Sequence, residues 1–274
     1  MIVKAGYQWY MFYYIMLGMT SVELVCCSIA FKAATGAEHR KTHGADSTST
    51  KGSTGQALKN RITWLCALFL LGYVGVEVSV ADWLVSFMLE VRHAQAFAAG
   101  MTATGFWLGL TCGRFVLGFA TGRMGEKLAI AIYLLLSMAL ELLLWLIPSF
   151  ISSAVFSAFL GFFLGPLFPA AVVVATRLLP IQLHVSAIGF AAAFGGGGAA
   201  ILPFAVGAIA QAKGVRVLQP IVLALLAALL VLWCTLPGGF RRRGLDEARI
   251  AMEAGLKNTQ AEMTTRNFET SETA

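Results

Sequence analysis

Residues 62 to 89 read ITWLCALFLLGYVGVEVSVADWLVSFML, an apolar run interrupted by only two acidic side chains, Glu77 and Asp82. A bilayer core about 30 Å thick is crossed by about 20 helical residues, so this run is long enough to span a membrane. An acid inside a membrane helix costs about 3 kcal/mol on insertion scales, which makes both carboxyls candidates for function. The run therefore predicts a transmembrane helix that carries a polar site.

The remainder of the chain repeats this apolar pattern. Hydrophobic residues make up 58% of the 274 residues and charged residues 12%, whereas a soluble domain is about 25% charged. No strand-like alternation accompanies the apolar runs, so only helices fit a bilayer here. We therefore predict an all-α membrane protein with about seven transmembrane helices, surrounded by membrane lipid. The six further runs lie at 9 to 31, 98 to 120, 128 to 148, 150 to 176, 183 to 210 and 217 to 237.

Lysine and arginine are unevenly distributed between the two sides of the predicted membrane. Twelve lie on the side of the connection at 32 to 61, namely Lys32, Arg40, Lys41, Lys51, Lys59, Arg61, Arg123, Lys127, Arg177, Arg241, Arg242 and Arg243. The other side has four, which are Lys4, Arg92, Lys213 and Arg216. Because basic loops stay in the cytoplasm, this connection and the C-terminus are predicted to be cytoplasmic, in a plasma or organelle membrane. Such dispersal also argues against a nucleic-acid partner, despite the net charge of +6.

Two segments differ in composition from the apolar runs. Residues 32 to 61 are rich in glycine, serine, threonine and charge, which is typical of a flexible solvated linker. Residues 238 to 274 form a polar cytoplasmic tail, where a short helix at 244 to 257 and disorder are both compatible with the composition. The run at 9 to 31 is compatible with a signal peptide, because Lys4 precedes it, but its length favours a membrane helix.

Glycine and proline are placed where they would shape helix packing. Gly105, Gly109 and Gly113 recur every four residues, which clears one helix face and predicts a close contact with another helix. Two other spans contain breaks, because proline and clustered glycine weaken the backbone ladder. The predicted breaks are Gly161, Gly165, Pro166 and Pro169 in one span, and Gly195 to Gly198 with Pro203 in the other.

The stretch GRFVLGFATGRMGEK at 113 to 127 resembles the loop motif G-x-x-x-D-R-x-G-R/K-K of the major facilitator superfamily, in the copy that joins the eighth and ninth helices. Gly122 stands where the family has aspartate, and Glu126 where it usually has a basic residue. YVGVEV at 73 to 78 and AIGFAAAFGGGGAAILPF at 187 to 204 resemble fungal relatives of the fucose/galactose/glucose:proton symporter branch. The resemblance assigns a gating loop to Arg114, Gly118, Arg123, Gly125 and Lys127.

Full-length members of this family have twelve helices in two six-helix bundles, with substrate bound between the bundles. The resemblance implies that residues 1 to 31 are the sixth helix of a truncated N-terminal bundle and that 62 to 237 are the C-terminal six-helix bundle. It also implies secondary active transport of a small solute, with sugar:proton symport as one form. A chain with one bundle is expected to be inactive alone and to need the missing half or a second chain.

Within the family frame, the side chains expected to bind substrate or a proton lie mainly on the helix at 62 to 89. Glu77 is near its centre, with Tyr73 one turn earlier on the same face, whereas Asp82 lies on a broadly opposite face with Ser79 and Ser86. A carboxyl that alternates between a dry site and an arginine can bind and release a proton, but a structural acid is an equal alternative for Glu77. Trp83 and Trp107 are deep enough to line a cavity.

Other polar and aromatic residues receive structural interpretations. Glu23 and Glu141 lie on helices that are peripheral in the family and are interpreted as structural acids that form hydrogen bonds. The tryptophans near span ends are interpreted as interface anchors, namely Trp9, Trp64, Trp145 and Trp233.

Enzymatic chemistry is not indicated, because the sequence has no phosphate-binding loop, metal-ligand cluster or nucleophile and base pair. We therefore expect no cofactor. Two alternatives to a transporter remain open: a seven-helix receptor, which shares the helix count, and a non-transporting regulatory remnant.

The charge asymmetry predicts the topology of the linker and the tail. Cysteine introduced at Ser47 or at Ser271 is expected to react with an impermeant maleimide only from the cytoplasmic side. The reason is that twelve basic residues lie on that side of the predicted membrane and four on the other. The unsubstituted chain is the control, since its five cysteines all lie inside apolar runs. Labelling of either site from outside intact cells would contradict this orientation.

Overall fold

The computed structural model describes Gln8, residues 10 to 31, 55 to 240, 244 to 251 and Ala254. The chain divides into two units, residues 1 to 52 and 53 to 274, which are considered separately. In the first unit, helix α1 (Met11–Ala30) is apolar along its length. Its hydroxyl side chains donate hydrogen bonds to carbonyls of the preceding turn, as Thr20 does to Met16 and Ser28 to Leu24. These bonds satisfy polar groups that lipid would leave unpaired.

The second unit contains the long helices α2 to α8, joined by short turns. These are α2 (Arg61–Glu90), α3 (Ala96–Met124), α4 (Glu126–Leu146), α5 (Phe150–Leu164), α6 (Leu167–Leu178), α7 (His184–Lys213) and α8 (Leu218–Cys234). Since α5 and α6 together form one membrane-length segment, the described residues contain seven candidate spans, α1 included. No strand occurs in this described part. The predicted all-α class and number of spans are therefore confirmed.

Helix α2 lies at the centre of the second unit, in contact with α3, α6, α7 and α8. Its large side chains Phe69, Tyr73 and Phe87 are almost completely buried. The Phe69 ring packs on the indole of Trp233 from α8, with ring centroids 4.7 Å apart. The polar residues of α2 are thus held by the helix that has the most neighbours.

The glycines of α3 form the close contact that their spacing predicts. A Cβ on Gly109 would overlap the carbonyl oxygen of Ala158 in α5, and one on Gly113 would overlap that of Phe162. The fit is reciprocal, because a Cβ on Gly161 of α5 would overlap the carbonyl oxygen of Phe106. The two backbones touch along this face, and any larger side chain would separate them.

The two predicted helix breaks have different outcomes. The break in the span from Phe150 to Leu178 is confirmed, since α5 ends at Leu164 and α6 begins at Leu167, after Gly165 and Pro166. The second predicted break was wrong, because α7 is continuous from His184 to Lys213. Glycine in α7 instead allows α2 to approach closely, since a Cβ on Gly198 would overlap the carbonyl oxygen of Leu71.

Three interpretations of the segments near helix ends need correction or restriction. The last part of the predicted flexible linker, 55 to 59, is helical, and the Leu58 carbonyl accepts a hydrogen bond of 2.8 Å from the Trp64 indole. Trp233 is not an interface anchor, because it is fully buried. The short tail helix exists at 244 to 251, where Leu245 is buried. Trp9 and the linker from 32 to 54 lie outside the described residues.

The glycine contact predicts opposite effects of alanine at two positions of α3. Gly109→Ala is expected to lower the folded yield and melting temperature in detergent, because the new methyl group overlaps the Ala158 carbonyl. Gly118→Ala is the matched control, since no atom lies within 4 Å of a Cβ built there. Alanine is favoured over glycine in a helix by about 1 kcal/mol, so the control should melt at the same temperature or higher. Equal destabilisation of the two variants would contradict the close contact.

Candidate functional site

An ion pair between α2 and α3 lies near the middle of both helices. The Glu77 carboxylate oxygen Oε1 is 3.5 Å from Arg114 Nη2, and the Glu77 side chain is 9% exposed. Both residues are far from the ends of their helices, so the pair lies deep in the predicted bilayer. Charged groups at this depth are costly and are usually found at sites that work on ions or substrates.

Arg114 also contacts the break between α5 and α6. Its Nε donates a hydrogen bond of 3.3 Å to the carbonyl oxygen of Gly165. Pro169 occupies the position from which a backbone N–H would normally bond this carbonyl, and proline has no N–H to donate. Arg114 therefore bonds a carbonyl oxygen that has no partner within its own helix. Through this bond and the ion pair with Glu77, Arg114 connects α3 to the α5–α6 break and to α2.

Tyr73 adds a hydroxyl group close to this pair. It lies one turn before Glu77 on α2, is fully buried, and stacks on Phe69 with the ring planes 7° apart. Its hydroxyl lies close to the Glu77 carboxylate and the Arg114 guanidinium, although neither contact has the full geometry of a hydrogen bond. The cluster of Tyr73, Glu77 and Arg114 thus retains unused hydrogen-bonding capacity.

A polar stripe runs along α3 beside this cluster. It consists of Thr104, Trp107, Thr111, Arg114 and Gly118, which share one face by their spacing and are all exposed. The Arg114 side chain is 47% exposed in this unit. A guanidinium at this depth is not stable against hydrocarbon, so the stripe must face water or protein. Other exposed positions of α3, such as Phe115 and Phe119, are suited to lipid.

The structure separates the remaining predicted substrate residues from the ion pair. Asp82 is exposed and forms no ion pair with any described residue. Trp83 is half-buried, and its indole Nε1 donates a hydrogen bond of 3.1 Å to the Pro203 carbonyl on α7 while its ring lies against Gly207. Trp107 is 45% exposed, within the stripe of α3. Of Asp82, Trp83 and Trp107, only Trp107 lies on the same helix face as Arg114.

The predicted gating-loop residues occupy two places. Arg114 lies inside α3, well before its end at Met124, whereas Gly118 and Arg123 are exposed in the last turns of that helix. Gly125 has φ of 96°, a conformation that favours glycine, and forms the turn between α3 and α4. Lys127, the second residue of α4, is buried.

Lys127 closes the end of α8. Its Nζ donates hydrogen bonds to the carbonyls of Leu236 and Gly238, and it lies over the ring of Phe240. In return, the Trp233 indole donates a hydrogen bond of 2.9 Å to the Lys127 carbonyl. A cation at the C-terminal end of a helix satisfies carbonyls that have no helical partner.

Glu126 forms a second ion pair at the same end of the bundle. Its Oε1 lies 2.9 Å from Arg177 Nη2, at the end of α6. The acid also begins α4, where the helix dipole favours negative charge. Gly122 presents open space where the family motif has aspartate. The negative charge that the family motif has at position 122 is thus partly supplied by Glu126, four residues later.

Sequence reasoning missed the partnership of Glu77 with Arg114. The motif led to the assignment of Arg114 to the gating loop, although its distance from the turn indicated a position within the span. The spacing of Thr104, Trp107, Thr111 and Arg114 was visible in the sequence and could have identified the polar stripe. Among the described residues, no group of His, Cys, Asp and Glu is arranged to hold a metal ion.

Comparisons with known proteins agree with this architecture. The family model described as Major Facilitator Superfamily matches residues 78 to 261. Over 200 residues the chain is 38% identical to "Bypass of stop codon protein 6" of Saccharomyces cerevisiae, which covers 69% of this chain and 40% of the yeast protein.

Two crystal structures of the fucose:proton symporter FucP are similar in fold. A variant of the E. coli protein has a TM-score of 0.60 at 18% identity, covering 67% of this chain and 45% of FucP. FucP in the outward conformation has a TM-score of 0.58 at 18% identity, over 65% of this chain and 44% of that one. This chain therefore spans less than half the length of the relatives it matches.

The ion pair predicts coupling between its two residues. Arg114→Gln and Glu77→Gln should each lower the melting temperature in detergent, because each leaves a charge deep in the bundle without its partner. The double variant should be less destabilised than the sum of the two, by about 1 kcal/mol, a modest value because Arg114 is half exposed. Strict additivity in this double-mutant cycle would show that the two side chains do not interact.

Proposed function

The chain belongs to the Major Facilitator Superfamily, and from this premise we propose that it supplies one wall of the substrate pathway in a secondary active transporter of a small solute. It is a multi-pass membrane protein, since its described part has seven membrane-length helices. The observation that carries the proposal is the ion pair of Glu77 and Arg114, held deep in the bundle beside an exposed polar stripe.

The ion pair gives a mechanism for coupling to protons. Binding of a proton to the Glu77 carboxylate removes its charge and weakens its attraction for Arg114. Arg114 remains anchored through Nε on the Gly165 carbonyl, so its Nη groups become free to donate hydrogen bonds to a solute. Loss of the proton on the other side of the membrane restores the pair and displaces the solute. The proton and the solute would thus move together.

The side chains around Arg114 support a polyhydroxyl solute. Trp107 offers an indole face for the C–H surface of a sugar ring, and it shares the stripe with Thr111 and Arg114. The Tyr73 hydroxyl supplies a further polar atom near the pair. Sugar:proton symport is therefore the form of transport that we propose, and it is also the activity in the name of FucP.

Transport by this mechanism needs a second bundle. In this family, substrate binds between two bundles that rock about a shared site. Residues 62 to 237 supply one bundle, and we assign α1 to the sixth helix of the other, with the linker and the tail in the cytoplasm. The exposed half of Arg114 then faces the partner bundle, which comes from an N-terminal half or from a second chain. Family membership gives no support to a seven-helix receptor, whereas a regulatory remnant remains an outcome of the test below.

Uptake into proteoliposomes under an imposed proton gradient tests the proposal. The first five helices of the yeast relative are fused ahead of the full chain, so that α1 serves as the sixth, and fucose, galactose and glucose are offered first. Saturable uptake that requires the gradient is expected from the fusion, and none from purified monomers of the chain alone, because one wall cannot form a site. A well-folded fusion that moves no sugar would favour the regulatory remnant. Uptake by the chain alone would contradict the need for a second half.

Two substitutions on α2 test the proton site within the fusion. Glu77→Gln should abolish gradient-driven accumulation while preserving the fold, because it keeps the shape and removes the charge change. Asp82→Asn is the matched control, since Asp82 lies on the same helix and is exposed and unpaired, and it should retain accumulation. Normal coupling in the Glu77 variant, or its loss only in the Asp82 variant, would show that the proton binds elsewhere.

A further inference from the structure

A second acid lies inside the bundle, away from the Glu77 pair. Glu141, on α4, is only 2% exposed, and its Oε1 has no hydrogen-bond partner among the described residues. Among the described residues, none supplies Oε1 with the direct hydrogen bond that the sequence-based interpretation expected. An ionised carboxylate in this position would be strongly destabilised, because burial removes its hydration and no hydrogen bond or ion pair compensates for the loss.

Ser137 is a second buried polar group without a partner. It lies one turn before Glu141 on α4, so the two side chains are neighbours on the helix surface. Ser137 is fully buried, and no described residue bonds its Oγ. Most serines inside a helix bond a carbonyl of the preceding turn, as Ser157 on the facing helix α5 does to Ala154. Two unpaired polar groups thus lie side by side on α4.

A group of polar contacts lies at the nearer end of the bundle. Arg92, which follows α2, donates a hydrogen bond of 2.6 Å through Nη2 to the carbonyl of Leu144, three residues beyond Glu141. Its Nε donates another, of 3.0 Å, to the hydroxyl of Ser153 on α5. Burial and the charge of Arg216 lower the pKa of Arg92, but a guanidinium remains charged in proteins. Arg92 and Ser153 thus lie between Glu141 and the end of the bundle.

Apart from Arg92, whose guanidinium bonds the Leu144 carbonyl and the Ser153 hydroxyl, the described elements packed against α4 offer Glu141 no cation. Helices α5 and α8 have no acidic or basic side chain. The cations of the other neighbours are engaged or distant, since Arg177 on α6 pairs with Glu126, Arg114 on α3 pairs with Glu77, and Arg123 is exposed at the end of α3. These surroundings favour the neutral, protonated form of the Glu141 carboxyl over the charged form.

We propose that Glu141 and Ser137 form a buried proton-binding site, with a bridging water, that exchanges its proton with the end of the bundle where Arg92 contacts Ser153. Such a site differs from a sealed structural acid in that its proton exchanges with that end of the bundle. It is independent of the proposed transport function, since it requires only the folded bundle. On deprotonation the proton moves through the bridging water toward Ser153, and the carboxylate remains until a proton returns.

Infrared spectroscopy of the purified full chain in nanodiscs tests this site. At neutral pH we expect a C=O stretching band of a protonated carboxylic acid that shifts down in D2O and disappears reversibly in alkaline buffer. The band should be lost in Glu141→Gln and kept in Glu77→Gln, the matched control. Ser137→Ala should move it to higher frequency, because the acid loses its bridged hydrogen bond.

Three results would overturn the proposal. Absence of any band lost in a folded Glu141→Gln variant would show that the carboxyl is ionised. A band that does not respond to D2O would show a sealed acid that exchanges no proton. A band removed by sodium at constant pH would show a metal-cation site. If Glu141→Gln does not fold, the Ser137→Ala shift and labelling of the wild-type chain by an apolar carbodiimide decide instead, with modification at Glu141 expected and its absence contradicting the site.

Discussion

The contact between the backbones of α3 and α5 is the constraint on which the candidate site depends. Gly109 and Gly113 remove the side chains that would hold the two helices apart, and Gly161 does the same from the other side. Only at this separation does the guanidinium of Arg114 reach the carbonyl of Gly165. The same anchoring directs Arg114 toward Glu77, so a packing feature with no polar side chain positions the charges.

The two buried acids illustrate what a low-dielectric interior does to a carboxyl. Glu77 has an arginine within 3.5 Å, whereas Oε1 of Glu141 has no partner among the described residues. Both are more than nine-tenths buried. The neighbouring cation stabilises charge in the first case, and its absence favours the neutral acid in the second. Chemically identical side chains in one bundle are thus suited to different states.

Much of this architecture could be predicted from the sequence, because lipid imposes length and composition on each span. The glycine face of α3 and the break after Leu164 were also predictable, since they follow from local spacing. The continuity of α7 across Pro203 was not, because glycines can either break a helix or admit a neighbour, and only α2 decides which. The pairing of Arg114 with Glu77 depends on tertiary placement that spacing within one helix does not contain.

Lys127 has two successive roles in the life of the chain. The predicted orientation assigns its charge, during insertion, to the basic loops that keep one side of the protein from crossing the bilayer. After folding, the same ammonium group is sequestered by the carbonyls of Leu236 and Gly238 and by the ring of Phe240. In the predicted orientation, the same charge would act first as a topological signal and then as a link between segments more than a hundred residues apart. The final arrangement of this end becomes fixed only after α8 has been synthesised.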